Sequence, residues 1–285
     1  MSQSPTIPES ALTPLLQNAR RVLLVVTLVF SCSACGTFKE QRETTQVFDG
    51  PGDTVLIMHG LRWWSLGGMN WMARRFNREG YRVILVRYPS RKLDGDGIVN
   101  GYLAKTMERE NTRTGQPIHF VAHSLGAVVT HRFLQDHPPA NLGRCVFIGT
   151  PHHGTELADL FRRKMPWTLR LIGPAAASLN TSGDGLPDKL RPPNFPLGII
   201  MGDRSNYPFL SPFIPGPDDG VVPVRSGMVE GALDTIVLHE AHVEMIRSPD
   251  VFSQACRFIE TGAFDHAKPA RRKTRIVFGS PGGVR

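Results

Sequence analysis

Short, solidly apolar runs alternate with amphipathic stretches along most of this chain. Thr54–Met58, Tyr81–Arg87, Ile118–Ala122, Arg144–Gly149, Leu197–Met201 and Thr235–Leu238 are compact and rich in Val and Ile. Runs of this length that do not alternate with polar residues read as strands covered on both faces. Helical periodicity fills the intervals over Asn70–Arg78, Asp96–Asn111, Leu125–Gln135 and Asp250–Glu260. Gly80 stops the first of these as a C-cap, and Pro138-Pro139 ends the third. Strand and helix in alternation predict an α/β fold with a mostly parallel central sheet and helices on both faces.

Residues 154–196 break the alternation. A helical piece over Glu156–Arg163 and an apolar piece over Trp167–Leu179 lead into a loop rich in Gly and Pro. An excursion of this size follows the carboxyl end of a strand, where open α/β sheets bind ligands. It is expected to be a cap over the site, within a single domain spanning residues 36–265.

The densest chemistry lies where the strand Ile118–Ala122 meets the helix starting at Leu125, through Ala122-His123-Ser124-Leu125-Gly126. A serine on so tight a strand-to-helix turn projects beyond the backbone, where it can attack a carbonyl. The helix crosses close to the strand it leaves, which calls for small residues two positions either side. Gly126 meets that need and Ala122 just fits. A serine hydroxyl also needs a base, and the base needs a third group to orient it. Three acids follow in the expected order: Asp219, favoured because the turn Asp219-Gly220 runs into Val221-Val222-Pro223, then Asp218 and Asp203. His242, in the loop after the last strand, is the preferred base over His239, which abuts that strand. His123 is read as facing away along the turn, with His152 and His153 as supporting candidates. An oxyanion needs preorganised donors; the backbone N–H groups of Leu125 and Leu61 are the candidates. Trp63, Trp64 and Met69 line an acyl pocket or pack the core.

The net charge of +8 does not point to nucleic acid, because it is concentrated at the ends. Residues 266–285 hold Lys268, Arg271, Arg272, Lys273, Arg275 and Arg285 and no acid, which leaves the middle of the chain close to neutral. That tail reads as disordered. At the other end Arg20-Arg21 precede the apolar run Val22–Phe30 and a small-residue stretch holding Cys32 and Cys35. This is the order of a secretory signal, and the run is short for a membrane span. Cysteine at its end resembles the lipobox of bacterial lipoproteins. The expectation for residues 1–35 is an exported, membrane-anchored protein lipidated through Cys32 or Cys35, or held by an uncleaved anchor. Cys145 and Cys256 read as small buried hydrophobes, and no Cys/His spacing resembles a zinc site.

Taken together, VLIMHGL, YRVILVRYPSR, VAHSLGAVV, GTPHHG, IPGPDDGVVPV and HVEMIRSPDVF make the segment 53–263 resemble the α/β-hydrolase superfamily, and within it bacterial esterase and triacylglycerol-lipase-like proteins. The resemblance aligns Asp219 and His242 with the acid and base of a triad headed by Ser124. It implies hydrolysis of small-molecule or lipid carboxylic esters through an acyl-enzyme, without a cofactor. An acyltransferase or thioesterase using the same triad, or a non-catalytic envelope binding protein, remains as an alternative, because the fold hosts many activities.

Overall fold

The computed structural model describes residues 45–110, 115–168, 172–207 and 210–267. The segment bearing Cys32 and Cys35, most of the basic tail, and the side chains of Trp63 and Trp64 lie outside that description. Among the described residues the six expected strands all form, as β2 (Thr54–Met58), β3 (Arg82–Val86), β4 (Ile118–His123), β5 (Leu142–Ile148), β6 (Leu197–Gly202) and β7 (Asp234–Leu238). Every residue of β2, β3, β4 and β6 is buried, which is why these runs are mostly apolar rather than alternating. A further strand, β1 (Gln46–Phe48), escaped the sequence reading because three half-exposed residues carry no periodic signal. The order across the sheet is β1-β3-β2-β4-β5-β6-β7. All neighbours are parallel except β1, which runs antiparallel to β3 with Gln46 opposite Leu85 and Phe48 opposite Val83.

Helices cover both faces. On one, α1 (Arg62–Arg78) and the C-terminal α7 (Pro249–Thr261) bury Met69, Phe76, Val251 and Phe258 against Val55, Ile57 and Val146. The structure starts α1 eight residues before the expected Asn70. Gly67 and Gly68 hide the helical pattern in the sequence. A Cβ on Gly68 would fall 2.3 Å from Cγ1 of Ile246, and one on Gly67 2.5 Å from Arg247 Nη2. Close packing of the turn Met245–Arg247 thus outweighs their weak helix propensity. On the other face, α2 (Gly95–Ile98) passes through a π turn, Val99–Leu103, into α3 (Ala104–Glu110), and α4 (Leu125–Leu134) follows β4.

The excursion after β5 contains α5 (Glu156–Lys164), capped by the Thr155 side chain, a 3-10 turn at Pro166–Thr168, and α6 (Pro174–Ala177). α6 falls within the apolar stretch expected over Trp167–Leu179. Gly173 and Pro174 interrupt that stretch, Gly173 with φ +87° against the backbone of Arg91. Ala175 N–H donates to Leu93 O at 3.3 Å, and a Cβ on Gly95 would meet Leu186 at 2.7 Å, so the excursion lies over the loop leaving β3. Cys145 is fully buried in β5 and Cys256 half-buried in α7; both are free thiols. Burial pushes the Cys256 thiol up to about 12 and Cys145 higher still, so neither is reactive near neutrality.

The helix α7 meets β6 where Gly198 leaves room for the Phe258 ring, 2.6 Å from the position a Cβ would take. Gly198→Ala should cost about 2 kcal/mol by overpacking, read from the denaturant midpoint. Shrinking the ring in a Gly198→Ala/Phe258→Leu double variant should recover part of that loss; strictly additive losses would show that this contact does not set the packing.

Candidate active site

The site is assembled at the carboxyl ends of the parallel strands. As β4 ends, Ser124 takes φ +54° and ψ −126°, and among the described residues no other non-glycine residue has a positive φ. Two close contacts enforce this. Ser124 N–H is pinned to Ile148 O of β5 at 2.9 Å, and its own carbonyl already accepts from Ala127 N–H at 2.9 Å to open α4. The helix then crosses the end of β2 so tightly that a Cβ on Gly126 would lie 2.4 Å from His59 O and 2.8 Å from Met58 O. Ala122, fully buried and paired with Met58 and Phe147, fits its side of the crossing. A strained backbone of this kind costs of order 1–3 kcal/mol and persists only where its surroundings over-determine it.

Asp219 sits beyond β6, where a Cβ on Gly202 would be 3.0 Å from its Cβ, and His242 lies in the loop after β7. Asp219 Oδ1 accepts from Val221 N–H at 3.0 Å and Val222 N–H at 2.7 Å, while Oδ2 accepts from His242 Nδ1–H at 2.7 Å. His242 Nε2 then carries the lone pair and accepts from Ser124 Oγ–H at 3.0 Å. A second tie runs along the backbone, from His242 N–H to Asp219 O at 2.9 Å. One tautomer satisfies every contact. Asp219 is fully buried, and Ser124 retains 8% exposure. Gly149, at φ +55°, closes the rear: a Cβ there would be 3.1 Å from His242 Nδ1 and 3.3 Å from Asp219 Oδ2.

The competing candidates have other partners. Asp218 accepts from Gly220 N–H at 2.7 Å and from the Ser211 hydroxyl at 3.1 Å, shaping the turn. Asp203 takes His239, whose side chain is largely exposed, at 2.9 Å. Met69 belongs to the core under α1. His153 donates from Nδ1 to Ser226 O at 3.0 Å. The reading of His123 needs correcting. It does not face away: its ring lies 4.6 Å from that of His242, and Nε2–H donates to His242 O at 3.0 Å.

Leu61 and Leu125 occupy the first positions of their helices, Leu61 as the N-cap of α1 and Leu125 opening α4. The peptide bearing the Leu61 N–H is oriented by residues the sequence reading passed over. His59 Nδ1–H donates to Gly60 O at 2.6 Å, and its Nε2 accepts from Tyr88 N–H at 3.3 Å. The Tyr88 ring stacks on His59 at 4.1 Å, and its hydroxyl donates to His59 O. Because the peptide is trans, fixing the Gly60 carbonyl also fixes the direction of the Leu61 N–H. Tyr88 was legible only as the residue that follows β3, the strand paired with β2.

No family model and no curated protein matches this sequence. Solved structures do. Bacillus licheniformis lipase BlEst2 in mature form aligns over 78% of this chain and 99% of its own at 20% identity, with a TM-score of 0.61. The esterase EaEST from Exiguobacterium antarcticum aligns over 79% of this chain and 100% of its own at 14% identity, TM-score 0.54. Phospholipase PlaB from Legionella pneumophila covers 72% of this chain and 56% of its own at 14% identity, TM-score 0.55. The fold is that of the α/β-hydrolases.

Behind the site lies a second group of histidines. His131 of α4 and His152 bond through Nδ1 and Nε2 at 2.9 Å, and His152 Nδ1 meets Thr150 Oγ1 at 2.5 Å. The pair is buried beside Phe147 and Phe195. Burial pushes His131 down to about 4 and His152 well below its usual value. Unfolding returns both to about 6.5. Between those values the unfolded chain binds more protons, so stability falls as the pH falls from about 6.5. For His131 alone this amounts to roughly 3 kcal/mol by pH 4. Melting temperature should therefore drop across this range and drop less in His131→Phe. Parallel pH profiles for the two proteins would remove the pair as the cause.

Proposed function

We propose that this protein is a serine hydrolase of carboxylic esters, an esterase or lipase acting through an acyl-enzyme. The observation that carries the reading is the unbroken hydrogen-bond path from Asp219 Oδ2 through both ring nitrogens of His242 to Ser124 Oγ. In that path His242 takes the Ser124 proton as the hydroxyl attacks the ester carbonyl, and Asp219 holds the imidazolium that results. His242 then returns the proton to the departing alcohol. Water, deprotonated by His242, releases the acid and regenerates Ser124. The tetrahedral oxyanion is received by the N–H groups of Leu125 and Leu61, the latter directed by the His59–Gly60 contact. The cycle calls on no cofactor.

Ester or lipid substrates accord with the lipase and esterase of similar fold. The excursion over residues 154–196 is read as a cap. It is tied to the acid loop by Thr155 Oγ1, which donates to Val221 O at 2.5 Å. An envelope location, with a lipid anchor through Cys32 or Cys35 or an uncleaved anchor, rests on the order of basic, apolar and small residues in the first 35 positions.

Hydrolysis of short- and long-chain p-nitrophenyl esters by the purified protein tests the reading. Ser124→Ala should abolish turnover, and the chain-length preference would separate esterase from lipase. Asp219→Asn, which keeps the shape but disfavours the needed tautomer, should lower kcat by about 10⁴. Turnover that survives in Ser124→Ala, or none on any ester by a folded wild type, would sink it.

A further inference from the structure

We propose that His123 is a positioning residue for the proton transfer, its Nε2–H clamping the main-chain carbonyl of His242 so that the imidazole stays within reach of Ser124. The inference rests on the serine-hydrolase reading and adds to it a residue outside the triad. His242 has four hydrogen-bonding groups. Its N–H and Nδ1–H go to Asp219, and its Nε2 accepts from Ser124. The carbonyl is the remaining group, and among the described residues His123 takes it, at 3.0 Å. The base is thus gripped from the acid side by Asp219 and from the nucleophile side by the residue preceding Ser124. The turn that projects Ser124 outward leaves the neighbouring ring against the His242 loop.

The position calls for a donor with reach and without charge. Phenylalanine would fill the space and leave a buried carbonyl unpaired. A lysine or arginine would set a positive charge beside an imidazole that must accept a proton. Histidine meets both needs if it stays neutral, and its surroundings keep it so. It is 3% exposed, and burial, reinforced by His242 and His59, pushes its pKa well below the usual range. With the Nε2 proton committed to the carbonyl, Nδ1 is the bare nitrogen, and among the described residues it has no hydrogen-bond partner. It abuts Gly60: a Cβ there would be 3.1 Å from His123 Nδ1 and 3.0 Å from Ser124 Cβ. One ring therefore spans the base loop and the loop expected to receive the oxyanion.

The test compares the wild type with His123→Gln, whose amide NH₂ can reach the same carbonyl, and His123→Phe, which has no donor. On a p-nitrophenyl ester, His123→Phe should lose kcat by roughly 10- to 100-fold with KM unchanged, the cost of a displaced base. His123→Gln should stay close to wild type, with the acidic limb of its kcat–pH profile unmoved. Where His123→Phe does not fold, His123→Asn replaces it, its shorter amide failing to reach the carbonyl. A second readout needs no substrate: the downfield proton resonance of His242 Nδ1–H should persist in His123→Gln and broaden away in the donor-deficient variant. Equal kcat in all proteins, equal losses in both variants, or unaltered resonances would overturn the clamp. A wild type that turns over no ester would refute the serine-hydrolase reading by itself, and the resonances would still decide the clamp.

Discussion

The close crossing of α4 over the end of β2 is the constraint on which the rest of this site depends. With no side chain at Gly126, the helix lies against the carbonyls of Met58 and His59, and the chain between β4 and α4 has to turn within a single residue. That residue is Ser124, held at positive φ by hydrogen bonds to β5 on one side and into the helix on the other. The same contact brings the His59-Gly60 turn beside the serine, so candidate nucleophile and candidate oxyanion loop are placed by one packing event. The strain at Ser124 is offset by the buried strands around it, which are the most completely enclosed elements of the molecule.

Much of this was legible because both ends of the argument are local. Six strands announced themselves as unbroken Val- and Ile-rich runs, and Ser124 by the strand before it and the helix after it. What stayed hidden was tertiary. Gly67 and Gly68 read as a break in α1 because their purpose, admitting Ile246 and Arg247, appears only when the chain returns 180 residues later. The choice among Asp203, Asp218 and Asp219 hung on which carboxylate faces His242, and adjacent residues in a turn face different ways. His123 was misjudged for a related reason: its neighbour's direction was inferred, but not what would occupy the opposite side. Tyr88 and Gly149 lie inside quoted motifs, but their parts emerge only from stacking and from a missing Cβ.

Histidine is put to several uses at this one sheet end. His242 bridges a carboxylate and a hydroxyl, His59 orients a peptide, and His131 with His152 forms a buried neutral pair. For His242 and His59 the hydrogen-bond network sets which ring nitrogen donates and which accepts. Burial disfavours the charged form of His131 and His152, while on the proposed chemistry a positive charge arises on His242 during turnover.

The direction of β1 has a consequence for how the molecule meets its surroundings. Because β1 opposes its neighbour, Gln46 stands beside Leu85, near the carboxyl end of β3, and the polypeptide enters the sheet at the end where Ser124 resides. A tether on the preceding residues, of the kind read from Cys32 or Cys35, would pull on that rim and not on the opposite pole. On the proposed anchoring and chemistry, the site would be leashed by its rim, within a linker's length of the lipid, and esters could be drawn from the surface that carries them.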